Sequence, residues 1–249
     1  DFERDPNADR RARSLQRVRQ YDVLQQPAPC PWNTDATSPN DSCDNEILYA
    51  LECDAVHALV TDKVRYVGDP VAVVVAENRY IAEDALELIV EEIEPLDPIV
   101  TYADALDPSK PKLFDELDDN VNLRTQIPVG DIDTAFAKAD RVVSGTVDVH
   151  RHQPVPMETR GLLADYDTES GQMTIWASTQ SPHMYRLMLP LQIGVPTENI
   201  RVLAHDVGGG FGLKNGIARE DVAITAIAKD LGRPVKWIED RLEHLVAAG

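Results

Sequence analysis

Cysteine is scarce in this chain: 3 in 249 residues. Cys30, Cys43 and Cys53 all precede residue 60, an odd set with no metal-type spacing. This argues against a disulfide framework and points to a reduced, cytoplasmic compartment. Basic charge is also short. Lys and Arg number 24 against 43 Asp and Glu, a formal net charge of −19. A nucleic acid or an anionic membrane surface is therefore disfavoured as partner, because phosphate binding needs concentrated cations. No apolar stretch approaches the roughly 18 residues of a spanning helix. Asp1 to Arg19 is charged throughout and has no apolar segment of the signal-peptide kind. A start methionine is missing as well, so the chain reads as an internal piece of something longer. No Ser/His/Asp or Cys/His nucleophile arrangement is recognisable, and His150, His152, His183 and His205 lack zinc-type spacing. Neither an internal repeat nor a low-complexity segment occurs.

What is present is a globular composition, 43% hydrophobic and 27% charged. The length suits one large domain or two moderate ones. Residues 1–58 read as an irregular loop or insertion, because Pro27, Pro29, Pro31 and the run Asn33 to Asn45 break any periodicity. Arg10, Arg11, Arg13, Arg17 and Arg19 read as a solvated face. Order begins near Val64. A Gly68-Asp69-Pro70 turn leads into a buried strand, Val71 to Val75. Asn78 caps a helix carrying Ile81, Ala85, Leu88 and Ile89, and a strand follows from Ile89 to Ile93. A polar connection then runs from about Asp104 to Val129. Asp131 caps a helix through Ala139, and strands are expected at 141–150, 161–167 and 172–177, the last two joined by the turn Asp167 to Gly171. Ser181-Pro182 is an N-cap and N1 pair for a helix from His183 to Leu189, which Pro190 should kink or end. A strand from Asn199 to His205, a helix from Ile217 to Leu231 closed by Gly232 and Pro234, and a strand from Val235 to Ile238 complete the pattern.

Between the strand ending at His205 and the helix after it lies Asp206-Val-Gly-Gly-Gly-Phe-Gly-Leu-Lys214. Four glycines in five positions let bare backbone N–H groups approach an anion or oxo group, at the strand–turn–helix junction used for anion binding. A tight turn is the competing reading. The common nucleotide patterns do not fit. A P-loop needs Ser or Thr after its lysine, where Asn215 stands, and the dinucleotide fingerprint needs glycine at Leu213. Two further clusters carry polar groups. Ser178-Thr179-Gln180 ends a strand, and its amide can both donate and accept. Within Arg151 to Arg160, His152, Glu158 and Arg160 are either titrating, anion-holding groups or a satisfied network stapling a proline-rich crossover; the network is the plainer reading.

These motifs together resemble the large, molybdenum-cofactor-binding subunit of the xanthine dehydrogenase/aldehyde oxidase/aerobic carbon monoxide dehydrogenase family, its carbon-monoxide-dehydrogenase-type members most of all. The segments that carry the resemblance occur in the family's order. They are Val64 to Glu77, Gly130 to Asp140, Pro156 to Gly161, Ser178 to Gln180, Gly208 to Lys214 and Leu231 to Trp237. The fold implied is α+β. Residues 59–104 would be the latter part of an α/β-hammerhead domain, 105–130 a linker, and 131–249 the first part of a molybdopterin-binding domain. In the family the glutamine of the Ser-Thr-Gln segment hydrogen-bonds the molybdenum centre, a role that falls to Gln180. The glycine stretch lines the same centre, so Gly209, Gly210, Phe211 and Gly212 inherit cofactor contact.

The implied activity is oxidation of a small molecule with water as oxygen source, electrons leaving through iron–sulfur and FAD partner subunits in an oligomeric complex. The implied cofactor is molybdenum–molybdopterin, its cytosine dinucleotide form left open. The family's base glutamate and its copper-binding loop cysteine lie C-terminal to this segment. No catalytic base and no metal ligand is therefore assigned here, and copper stays open. Purine-oxidising members carry glutamate where this chain has Asn215, which argues against a xanthine-type substrate. Carbon monoxide, an aldehyde and an N-heterocycle remain. The competing class is a non-catalytic, stand-alone module that binds the cofactor or a partner.

Overall fold

Apolar side chains alternate along Gly161–Asp167 (β1) and Gln172–Ala177 (β2), so each strand buries one face. The two form an antiparallel hairpin with Leu162 opposite Ala177 and Asp167 opposite Gln172. Its turn is locked by Asp167, whose carboxylate accepts from Glu169 N (2.9 Å) and Ser170 Oγ (2.7 Å), and by Gly171 at φ 71°. This computed structural model describes residues 58–121, 124–127, 129–149 and 152–248. The cysteines, the arginine-rich stretch, His150 and Arg151 lie outside the described residues.

From β2 the chain crosses through helix Pro182–Ile193 to strand Ile200–Leu203 (β3), which lies parallel to β2 with Met173 opposite Ile200. It then passes through the glycine loop and helix Arg219–Leu231 to strand Val235–Ile238 (β4), antiparallel to β1. The sheet order is β3-β2-β1-β4. Both helices cover the same face. Met173, Ile175 and Leu189 are 0% exposed and Ile227 1%, each contributing about 1.5–3 kcal/mol by leaving water. Leu162, Ala164, Tyr185, Ile224 and Val235 complete this core.

Ahead of the sheet stand three short helices: α1 (Arg79–Leu86), α2 (Tyr102–Leu106) and α3 (Ile132–Lys138). The crossover helix is α4, the helix after the glycine loop α5, and a last helix, Arg241–Ala247, is α6. The mix of helices and a largely antiparallel sheet makes the fold α+β. Asn78 and Asp131 cap α1 and α3 as expected, accepting from Ile81 N and Thr134 N. The N-terminal unit meets the sheet domain through buried Asp69, which accepts from Arg65 N (3.0 Å) and pairs with Arg219 of α5.

Several expectations fail. No strand forms at 71–75, 89–93 or 141–149 among the described residues. Val143 (82% exposed) and Val90 (87%) find no pairing strand among the described residues, and a strand without a ladder leaves its backbone groups to water. Ser181 does not cap α4; its hydroxyl donates to Asn215 Oδ1 (2.5 Å) instead. Pro190 does not end that helix, which runs on to Ile193 and stops at Gly194, φ 63°. The expected connection from residue 104 begins inside α2, whose Thr101–Asp104 capping box compensates for its brevity. Helix α6 was not anticipated.

Candidate functional site

Because β2 and β3 are parallel, their carboxyl ends open at the same edge of the sheet. There β2 delivers Ser178-Thr179-Gln180 and β3 delivers the glycine loop. The antiparallel partners bring the segment before β1 and the end of β4 to that edge too, with Ser178 N bonded to Gly161 O (3.0 Å) and Glu239 N to Arg160 O (3.0 Å). Glu158, Arg160, Gln180, Gly208 to Lys214 and Glu239 thus converge from four places in the chain. Open sheets with parallel strands bind ligands at such carboxyl edges.

The five residues singled out in the sequence are brought together. Gly212 N donates to Gln180 Oε1 (3.0 Å). Since a backbone N–H can only face the carbonyl end of the amide, Nε2 is the donor end of Gln180 and has no partner among the described residues. Gly210 is buried against this amide; a Cβ there would stand 2.5 Å from Gln180 Cδ and 2.8 Å from Cγ. The absent Cβ is what lets the amide lie this close. Gly212 (φ 93°) sits in open space, so its need is conformational. Between them Phe211 holds a left-handed φ of 54°, rare for an aromatic residue, and the residue is 75% exposed. Gly209 packs its backbone between that ring and Pro156.

Beneath the loop lies a charge cluster that the sequence reading only half anticipated. Lys214 Nζ, with its side chain 1% exposed, donates to Glu158 Oε2 (2.9 Å) and Ser178 Oγ (2.7 Å). The same carboxylate oxygen accepts from Ser178 Oγ (2.6 Å) and Gly208 N (2.8 Å). Partial burial works to raise the Glu158 pKa, but the bonds from Ser178, Lys214 and Gly208 outweigh it and hold the carboxyl below its ordinary range. Lys214 O in turn accepts from Gln180 N (2.8 Å) and Thr179 Oγ1 (3.1 Å). Glu158 is a polar candidate from the sequence; nothing local to it signals Ser178 and Lys214, 20 and 56 residues away, as its partners.

For Arg160 the plainer reading holds. Its guanidinium grips Glu239 (Nε to Oε1, 2.9 Å) and Glu220 (Nη2 to Oε1, 2.8 Å), and Glu239 Oε2 also meets His244 Nδ1 at 2.8 Å. Burial pushes the Glu239 carboxyl up, but its bonds to Arg160 and His244 pull it below the usual range. Arg241 ties this network to the loop's surroundings by donating to Pro156 O (2.7 Å) and Met157 O (2.9 Å). Its Nη1 is buried without a partner among the described residues. His152 is exposed at the surface. On the far side of the loop, Asp221 caps α5 by accepting from Ala218 N (2.8 Å) and from Tyr185 Oη (2.8 Å). Its burial pushes the carboxyl up to about 6. An open cavity of about 880 Å³ lies elsewhere, between residues 63–72 and 86–113. Its lining has no counterpart to the glycine loop's fixed amide.

Among the described residues no helix is long and apolar enough to cross a membrane, and no group of three His, Cys, Asp or Glu could hold a metal ion. A group held here would be held by hydrogen bonds to backbone and amide.

Residues 113–249 match the molybdopterin cofactor-binding domain family. Residues 34–97 match the a/b hammerhead domain of aldehyde oxidase and xanthine dehydrogenase. The chain is 41% identical over 210 residues to the nicotine 6-hydroxylase large subunit of Paenarthrobacter nicotinovorans, covering 81% of this chain and 25% of that protein. It is 37% identical over 208 residues to the carbon monoxide dehydrogenase large chain of Afipia carboxidovorans, covering 78% of this chain and 26% of the relative. The crystal structure of quinoline 2-oxidoreductase from Pseudomonas putida 86 superposes with a TM-score of 0.67 at 39% identity, over 75% of this chain and 24% of that one. The chain thus spans about a quarter of the length of the relatives it matches. With both matched segments in order, and with the glycine loop and Gln180 meeting at one sheet edge, this chain belongs to the molybdopterin-dependent xanthine dehydrogenase/aldehyde oxidase family.

Proposed function

We propose that this chain supplies one wall of the cofactor site in the large subunit of a molybdenum hydroxylase that oxidises a small molecule with water. The observation that carries the reading is the Gln180 amide. Its oxygen is tied to Gly212 N–H, so Nε2 is the end left to donate to an oxo ligand. Gly209, Gly210, Phe211 and Gly212 would line the same centre with backbone and ring. The residues fit such a group: a Cβ at Gly210 would fill the cradle, and open space lies beside Gly212. When bound, the molybdenum cofactor supplies two-electron transfer and the site of oxygen delivery. The protein's own part is to fix a neutral donor amide and to bring uncharged N–H groups close.

Carbon monoxide, an aldehyde and an N-heterocycle are the candidate substrates, and relatives named for carbon monoxide and for nicotine support the first and the last of these. FeS and FAD subunits are the proposed electron-accepting partners, in keeping with relatives that are themselves called large subunits and large chains. The described residues contain no cysteine and so offer no thiolate to a copper ion. The proposed division is a hammerhead portion at 59–104, a linker at 105–130 and the cofactor-binding portion from 131.

The test is metal analysis of the intact protein purified with its natural partners, followed by a dye-coupled screen of the three substrate classes. Stoichiometric molybdenum is expected, together with turnover that Gln180→Ala lowers by roughly 10- to 100-fold. Repeated absence of molybdenum would overturn the reading.

A further inference from the structure

The glycine loop is anchored at both ends on one carboxylate oxygen. Glu158 Oε2 accepts from Gly208 N at the loop's entrance (2.8 Å) and from Lys214 Nζ at its exit (2.9 Å), while Ser178 Oγ donates to it from β2 (2.6 Å). Glu158 N also donates to Gly208 O (3.2 Å). Lys214, through its carbonyl, receives the backbone N–H of Gln180 (2.8 Å). Between the anchors the loop's own bonds are few: Leu213 N to Gly210 O (3.0 Å), Asn215 N to Gly212 O (3.3 Å), and Gly212 N to the Gln180 amide (3.0 Å). A glycine-rich segment so lightly tied has many conformations to lose, so its position must come from the anchors.

We infer that Glu158, Ser178 and Lys214 are positioning residues: a charged clamp, buried at its lysine end, that sets the register of the Gly209–Gly212 backbone against the Gln180 amide. This rests on reading that loop as the cofactor's cradle. Lys214, with its side chain 1% exposed, has its charge balanced by Glu158, whose side chain is 43% exposed. A charged cluster suits the task because charge-assisted bonds are short and directional, where apolar packing would let the loop slide. The asymmetry of exposure has a consequence. Losing the glutamate charge strands a buried ammonium, whereas losing the lysine leaves a carboxylate that water can reach.

The experiment uses the intact protein with its partners, read out by molybdenum content, thermal unfolding and the molybdenum electron paramagnetic resonance signal. Glu158→Gln should lower molybdenum retention more than Lys214→Met does, with losses in the roughly 10- to 100-fold range seen when groups supporting a metal site are removed. The neutral pair Glu158→Gln/Lys214→Met removes both charges, so it should recover unfolding temperature while retention stays low. Glu158→Asp keeps the charge but shortens the arm; it should stay folded, keep molybdenum and shift the resonance signal. Wild-type retention with an unchanged signal in the double variant or in Glu158→Asp would overturn the clamp while leaving the cradle intact. A wild-type protein that never contains molybdenum would instead overturn the cradle reading beneath it.

Discussion

Replacing Gly210 with alanine tests the contact on which the orientation of the Gln180 amide depends. The added Cβ would stand 2.5 Å from Gln180 Cδ and 2.8 Å from Cγ, about 1 Å inside ordinary carbon–carbon contact. Gly210 is not among the positive-φ residues, so its backbone accepts alanine and the strain falls on the neighbouring side chain. Gln180 is exposed and can swing outward. That movement breaks its bond to Gly212 N–H, a loss of about 1 kcal/mol. Amide-resolved hydrogen exchange on the intact protein should then show Gly212 exchanging roughly five-fold faster. Gln180→Ala should produce the same acceleration, and the double variant no more than either single one, because both changes remove one bond. Unchanged exchange at Gly212 in Gly210→Ala would refute the argument. So would a further acceleration when Gly210→Ala is added to Gln180→Ala, since backbone strain and not the displaced amide would then be the cause.

Two other outcomes follow from buried charge. Asp221, pushed up to about 6 in the fold, has an unfolded pKa near 3.9. The folded state therefore holds the extra proton between those values; the stability it contributes is fully present below about pH 4 and is lost as pH rises to about 6. The span corresponds to about 3 kcal/mol. Asp221→Asn should flatten the stability–pH curve between about pH 4 and 6, and urea unfolding across that range that leaves the slope unchanged would contradict it. Arg160→Met strips the counter-charge from Glu239, whose side chain is 0% exposed, and should destabilise by roughly 3–5 kcal/mol. Arg160→Met/Glu239→Leu should recover most of that loss, and a double variant no better than the single would sink the ion-pair account.

Local pattern was legible wherever an element's stability is decided within it or by its immediate neighbour. The β1–β2 hairpin reads from alternation and an Asp-to-Gly turn, α1 and α3 from Asn78 and Asp131, and the end of α5 from Gly232 at φ 57°. Pro190 misled because the cost of a proline depends on what its helix packs against. Its turn is held by Leu189 and Ile193 in the core, and Lys229 Nζ donates to Ile193 O (2.6 Å) at the helix end. The apolar runs at 71–75, 89–93 and 141–149 have strand character in sequence, but strand formation is a property of pairs.

The sequence by itself determined the family, the α+β class and the five residues that gather at the loop, since glycine spacing and a strand-end amide are local signals. Tertiary structure alone decided which end of the Gln180 amide is free and which partner balances Lys214. The amide's polarity depends on an N–H 32 residues away, and the lysine's counter-charge stands 56 residues upstream. Contacts of that separation leave no periodicity in the chain, because they come from the ends of β1, β2 and β3 meeting at one sheet edge.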